Sequence, residues 1–154
     1  MKQLISPCGK TILVDDDCFD YLNQWQWSLN PNGYARRTIR TSSGGASLKL
    51  HRVIMNTPKD LVVDHINGNP LDNRKCNLRI CTRSQNQMNR TKVATHNKSG
   101  TTGVCWIKSR SKWKVQISIE GKNKHIGYFD DLDKAILIRK DAELKYYGVF
   151  APTL

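Results

Sequence analysis

The chain has 154 residues, of which 38% are hydrophobic and 25% charged, and its formal net charge is +12. That apolar content is low for one large core and suits two small modules. The cationic excess points to a polyanionic partner, nucleic acid first, and no apolar run reaches the roughly 18 residues that crossing a membrane requires.

The stretch MKQLISPCGK has no apolar core of signal-peptide length, so a cytoplasmic protein is expected. Five cysteines, with no C-x-x-C pair, support neither a disulfide framework nor a structural zinc site. They read as reduced, small hydrophobes.

Residues 1–50 read as short strands joined by turns. A β-prone run at 12–14 follows the turn signal Pro7, Cys8, Gly9. Asp15 to Asp17 then open a short helix carrying Phe19, Tyr21 and Leu22. Trp25 and Trp27 alternate with Gln24 and Gln26 in a strand-like pattern, and Pro31, Asn32 and Gly33 turn the chain into a strand over 34–39. An apolar stretch over 48–55 ends at Thr57 and Pro58.

Residues 61–63 form a short buried strand leading into Asp64 and His65. A loop rich in Asn, Gly and Pro runs over 66–77, and a second strand follows over 78–81. Thr82, with Gln85 three residues on, is a capping-box pattern that starts a helix. The order is strand, long polar loop, strand, helix. A linker is expected over 91–100, with the boundary near Lys98, Ser99 and Gly100.

Beyond it, three strand-like runs over 103–107, 113–119 and 124–129 are separated by turn signals. Leu132, Ala135, Ile138, Ala142 and Tyr146 then recur at helical spacing, with Asp131 as N-cap and Gly148 as stop. The second module is therefore a three-stranded antiparallel sheet with one helix packed on a face.

The loop over 66–77 concentrates chemistry. Asn and Gly form turns in many structural loops, and that reading applies to Asn67, Gly68 and Asn69. Asp64 and His65 offer more. Hydrolysis of a phosphodiester needs an activated water and positive charge at the developing phosphorane. A carboxylate and an amide oxygen suit a hard divalent cation, and a histidine suits the general base. Neighbours on a strand point to opposite sides, so Asp64 can bind metal while His65 faces the water.

The residues LHRVIM, followed by VDHINGNPLDNRKCNLRICTRSQNQMNR, resemble the HNH family of endonucleases, in its phage and intron-encoded homing form. The likeness covers about residues 1–92 and implies an α+β chain with a ββα-metal (His-Me finger) nuclease fold. It also implies His65 as general base and Asp64 and Asn86 as metal ligands, with Asn77 bonded to the His65 ring. Asn73 competes with Asn77 for that last role. Magnesium is the default ion, manganese the alternative, and no structural zinc is expected. His51 and Arg52 match the family's His-Arg pair, with a structural and a catalytic role both open for His51. Arg83 and Arg90 either touch phosphate or are plain exposed helix charge.

The residues SGTTGVCWIK and KWKVQISIEGKNKHIGYFDDLDKAILIRKDAELKYYGVFA resemble the Apetala-two / ethylene-response-factor DNA-binding domain. That resemblance implies that the sheet lies in the DNA major groove. Val115, Ile117 and Ile119 would face the helix, and Lys114, Gln116 and Ser118 the DNA. Lys108, Arg110 and Lys112 would approach phosphates, and Lys122, Asn123, Lys124 and His125 extend the surface. Trp106 either packs on the sugar-phosphate backbone or belongs to the core. Cys105 stands where the plant domains carry an arginine.

The expected organisation is an HNH endonuclease domain over 1–95, with its ββα-metal core at about 61–92, and an Apetala-two-like DNA-binding domain over 96–154. The expected partner is double-stranded DNA, bound by a monomer or by a dimer, in a host-cell cytoplasm. Two other readings compete with a DNA endonuclease: a non-catalytic DNA-binding regulator and an RNA-directed nuclease.

Overall fold

The computed structural model of the chain describes residues 1–42, 44–89, 93, 95 and 97–152. It is a mixed α/β protein that divides into two compact units, Met1–Asn86 and Gln87–Leu154. Arg90 and positions 91, 92, 94 and 96 of the expected linker over 91–100 lie outside the described residues. At the end of that stretch Ser99 is buried, and its hydroxyl donates to the Val104 carbonyl at 2.7 Å.

The first unit opens with an antiparallel pair, β1 (Lys2–Ile5) and β2 (Thr11–Val14), and the helix α1 (Asp16–Leu22). Two acidic residues in the first turn of α1, Asp16 and Asp17, complement its dipole. A three-stranded antiparallel sheet follows in the order β3 (Ser28–Leu29), β4 (Ala35–Thr41), β5 (Gly44–Lys49). The helix α2 (Leu50–Ile54) comes next, then the antiparallel pair β6 (Val62–His65) and β7 (Leu78–Cys81), and the helix α3 (Arg83–Met88), within which the division between the two units falls.

Leu4, Ile12, Val14, Leu22, Trp27, Ala35 and Leu50 form the core of this unit. Each buried aliphatic side chain there contributes about 1.5–3 kcal/mol. The strand expected around Trp25 and Trp27 is absent. Trp27 is only 2% exposed, and its indole N–H donates to the Leu22 carbonyl at 2.9 Å, at the end of α1. The alternation of Trp and Gln came from one buried ring closing a helix terminus, not from a pleat. Trp25 instead lies under the Arg37 guanidinium, 3.8 Å from its ring centroid.

The second unit holds β8 (Val104–Ile107), β9 (Lys112–Ile119) and β10 (Lys122–Phe129), antiparallel in the order β10-β9-β8, and the helix α4 (Leu132–Tyr147). Ile119 pairs with Lys122, and Glu120 and Gly121 both have positive φ, the conformation a two-residue hairpin needs. The Asp131 carboxylate caps α4 by accepting from the Lys134 N–H at 2.7 Å.

Val104, Val115 and Ala135 make one core cluster, and Ile117, Ala142, Tyr147 and Ala151 another. The inward side of α4 holds two residues beyond the expected stripe, and Tyr146 packs, partly buried, against the second of these clusters. Tyr147 is buried, and its hydroxyl donates to the Ser118 carbonyl at 2.9 Å. Arg139 is also buried, with Nε donating to the Thr102 carbonyl at 3.0 Å and Nη1 3.0 Å from the Glu143 carboxylate. No helix among the described residues is long and apolar enough to cross a membrane.

Candidate active site

β6 and β7 set the register of the site: Asp64 lies opposite Arg79, and His65 opposite Leu78. Successive side chains on a strand alternate, so Asp64 and His65 leave β6 on opposite faces. Both are buried, at 6% and 5% exposure. Arg79 holds the Asp64 carboxylate, with Nε at 2.8 Å and Nη2 at 2.6 Å from Oδ2. A charge this buried needs such a partner.

The His65 ring is packed by two others. His51, on α2, meets it edge-on at 5.2 Å between centroids, and Tyr34 lies tilted at 5.6 Å. Tyr34 and His51 also meet edge-on at 5.4 Å, closing a triangle of rings. His65 Nε2 lies 3.4 Å from Asn73 Oδ1. Burial lowers the His65 pKa below its ordinary value, partly offset by the bond to Asn73. The imidazole is therefore neutral at pH 7, the state a base requires. His51 is pushed down to about 3, first by burial and then by the charge of His65.

Asn73, rather than Asn77, is thus the asparagine at the imidazole. Asn77 does something else. Its Oδ1 accepts from the Asn67 N–H at 3.0 Å, and its Nδ2 donates to Asn67 Oδ1 at 3.0 Å and to the Asp72 carbonyl at 2.8 Å. An amide has both donors and an acceptor, and here all are used to tie the two ends of the loop together. The physical reason is reach: Asn77 ends the short 3-10 turn just before β7, beside the loop backbone, whereas Asn73 sits at mid-loop.

The loop is braced from outside as well. Leu13 on β2 donates to the Leu71 carbonyl at 2.8 Å and accepts from the Asn73 N–H at 2.9 Å. Asp72, almost fully buried, is paired with Arg74 at 2.6 Å, which holds its carboxyl below the usual carboxylate range. Arg52 secures the approach to β6, donating to the carbonyls of Leu61, Thr57 and Pro58 at 2.8, 3.1 and 2.8 Å. Sequence reading missed Arg79 and Tyr34. A cationic residue opposite an acid is visible only once the register is known.

α3 begins with the expected capping box: the Thr82 N–H donates to Gln85 Oε1 at 2.9 Å, and the Gln85 N–H to Thr82 Oγ1 at 3.2 Å. Asn86 and Arg83 are exposed on it. Among the described residues no group of three or more His, Cys, Asp or Glu side chains could hold a metal ion. Asp64 and Asn86 offer a different set, one carboxylate and one amide oxygen, and the Asn86 amide makes no side-chain hydrogen bond among the described residues. Two hard oxygens are donors of the type that a hard divalent cation takes.

A sequence model of the HNH endonuclease family matches residues 49–88, the segment that holds α2, β6, the loop, β7 and α3. Protein 3.8 of Escherichia phage T7 is 37% identical over 95 residues, 61% of this chain and 76% of that protein. A protein of Acanthamoeba polyphaga mimivirus named Uncharacterized HNH endonuclease L560 is 28% identical over 149 residues, 93% of this chain and 74% of that one. The chain belongs to the HNH endonuclease family. It is a DNA endonuclease. Among solved structures, the HNH homing endonuclease I-HmuI, in a study of DNA binding and cleavage, aligns with a TM-score of 0.38 and 24% identity over 80% of this chain and 67% of that one, too loosely to transfer any feature.

The second unit of this HNH endonuclease presents a mixed polar face. Cross-strand partners share a side of a sheet, so the register sorts the residues. Val104 pairs with Val115 on the helix side, and Cys105 pairs with Lys114 on the outer side. Lys114, Gln116, Ser118, Asn123 and His125 all lie on the outer face. Lys108 and Arg110 sit in the 3-10 turn after β8. Lys112 is exposed and pairs with Asp130 at 2.8 Å.

Three residues named with the DNA-contacting surface, Trp106, Lys122 and Lys124, have their register partners Trp113, Ile119 and Ile117 on the helix side of the sheet. Trp106 pairs with Trp113 on the helix side, with ring centroids 5.1 Å apart, so it does not share the face of Lys114 and Gln116. Lys124 pairs with Ile117 on that same inner side and donates to the Tyr146 hydroxyl at 2.9 Å.

Proposed function

We propose a metal-dependent endonuclease of the phage or mobile-element homing type, with His65 as the general base. A divalent cation, magnesium by default and manganese as the alternative, is held by Asp64 and Asn86 on a ββα-metal core at about 61–92. The observation that carries this reading is the pairing of a neutral, buried imidazole with a buried carboxylate at adjacent positions of one strand.

Asn73 supports the role of His65. Its Nδ2 donates to the Pro70 carbonyl at 3.1 Å, so its Oδ1 faces the imidazole. An oxygen only accepts, and the tautomer this contact favours has its proton on Nε2 and its lone pair on Nδ1. His65 takes a proton from water as the water oxygen attacks phosphorus. The bond to the leaving sugar oxygen breaks, and that oxygen departs with the electron pair and is protonated by solvent. A cation held by Asp64 and Asn86 supplies the positive charge that stabilises the phosphorane and the leaving oxygen. Arg79 keeps Asp64 in place, and Asn77 fixes the ends of the loop.

The domains we assign are the nuclease over 1–95 and an Apetala-two-like DNA-binding domain over 96–154, whose outer sheet face contacts double-stranded DNA. The relatives are viral, and the setting we assign is the cytoplasm of an infected cell.

The test is supercoiled plasmid, with phage and host DNA included, incubated with magnesium. Wild-type protein should give nicked product, EDTA should stop it, and His65→Ala should lower the rate by a factor of about 100 to 10,000. Equal cleavage by His65→Ala and wild type would remove His65 as the base. A thermal shift with magnesium that Asp64→Asn and Asn86→Ala abolish would support the ligand set, and an unchanged shift in both would sink it.

A further inference from the structure

The outer face of the second unit contains an arrangement that the strand pattern alone hides. In a regular strand, residues three apart point to opposite sides. β10 is not regular: its register to β9 shifts between His125 and Gly127. His125 pairs with Gln116, Gly127 with Val115, and Tyr128 with Lys114. The extra residue, Ile126, packs into the core clusters. A bulge of this kind resets the alternation, so His125 and Tyr128 emerge on the same, outer face.

Their rings meet at 4.7 Å between centroids. The Arg110 guanidinium, reaching across from the turn after β8, lies 4.6 Å from the centroid of the Tyr128 ring. Elsewhere Arg52, Arg74 and Arg79 give their N–H groups to protein oxygens. Arg110 makes none of these bonds: among the described residues its contact is the face of an aromatic ring. Stacking holds the guanidinium plane yet leaves its N–H edge open.

We propose that Tyr128 is a positioning residue for DNA binding, holding Arg110 as a preformed fork for a pair of acceptor oxygens or nitrogens on duplex DNA. This rests on the reading of the sheet's outer face as the DNA-contacting surface. A lone surface arginine must give up side-chain freedom when it binds, and one already stacked gives up less. Lys114 and Gln116, the register partners of Tyr128 and His125, add a second cation and an amide beside it. The paired acceptors are those of a phosphate or of a guanine edge, and both match the guanidinium's geometry.

The experiment is a double-mutant cycle on the full chain, in EDTA so that DNA stays intact. Binding to a labelled duplex of mixed sequence is read by anisotropy across salt concentrations. Arg110→Ala and Tyr128→Leu should each weaken binding by about five- to tenfold. The double variant should be no weaker than Arg110→Ala alone, and Tyr128→Phe should stay within about twofold of wild type. Arg110→Lys, which keeps the charge and leaves Tyr128 untouched, should lose several-fold, a check that does not depend on how Tyr128→Leu folds.

A salt slope lower by about one in Arg110→Ala assigns the fork to phosphate. An unchanged slope, with binding lost when guanine N7 is replaced by carbon, assigns it to guanine. Single effects that multiply in the double variant, or wild-type affinity in Tyr128→Leu or Arg110→Lys, overturn the proposal while leaving the sheet as a DNA surface. Unchanged affinity in both Arg110→Ala and Lys114→Ala overturns the surface itself and the proposal with it.

Discussion

At the scale of single residues, the His65 site is a buried polar centre in which each group has one task. Burying a neutral imidazole makes stability depend on pH, and His51 allows the sign to be worked out. Its ordinary pKa is near 6.5, and in the folded chain it is lowered to about 3. Between those values the unfolded chain binds a proton that the folded chain refuses. Stability is therefore unaffected by His51 above pH 6.5 and falls as pH drops through the window, by about 1.4 kcal/mol per pH unit for this one group. His51→Phe should remove that share of the slope when urea midpoints are compared between pH 7 and pH 4. An unchanged slope would mean that His51 is protonated in the folded state.

The two asparagines of the loop make a second residue-scale contrast. Asn77→Ala removes three hydrogen bonds that tie the loop ends and leaves the carbonyl of the buried Asp72 without that donor, so a loss of about 2–4 kcal/mol in stability is expected. Asn73→Ala removes a long contact to His65 together with the bond to Pro70, and should lower kcat with a smaller fall in melting temperature. A larger stability loss in Asn73→Ala than in Asn77→Ala would reverse these assignments.

At the scale of elements, the β8–β9 pair depends on one backbone position that has no room for a side chain. Gly103, at the entry to β8, has φ +81, and a Cβ there would lie 2.4 Å from the Gln116 carbonyl and 2.6 Å from Arg139 Nε. Its own carbonyl accepts from the Gln116 N–H at 2.9 Å, so the backbone cannot move aside without breaking the sheet edge. Gly103→Ala should cost more than about 2 kcal/mol and be seen as early loss of structure in the second unit. Hydrogen exchange would resolve this unit by unit. Wild-type protection in β8 and β9 would show that the strand end relaxes.

At the scale of the whole molecule, hydrolysis and the proposed DNA-contacting face lie in different compact units. Groups that share no partner couple weakly, so the effects of changes in the two units should multiply. Asn73→Ala should lower kcat, Arg110→Ala should raise KM, and the double variant should show both changes at their single-variant sizes. With one His65 site per chain, nicked circles should accumulate before linear plasmid. Linear product without a nicked intermediate would require two sites acting together.

Much of the architecture follows from the sequence alone. The order strand, loop, strand, helix around Asp64 and His65, the capping box at Thr82, and the three strands and helix of the second unit are all local patterns, set by turn residues, caps and hydrophobic period. What only the tertiary structure decided are relations between residues far apart in the chain. Arg79 reaches Asp64 through strand register, and Asn73 displaces Asn77 at the imidazole because the loop folds back against β2. Trp27 closes a helix instead of joining a strand because its ring fills the core. Tyr128 reaches the outer face because one bulge at Ile126 inverts the alternation after it. Period and spacing record which neighbours are apolar or polar, whereas register, bulges and ring packing are fixed by the simultaneous fit of several elements.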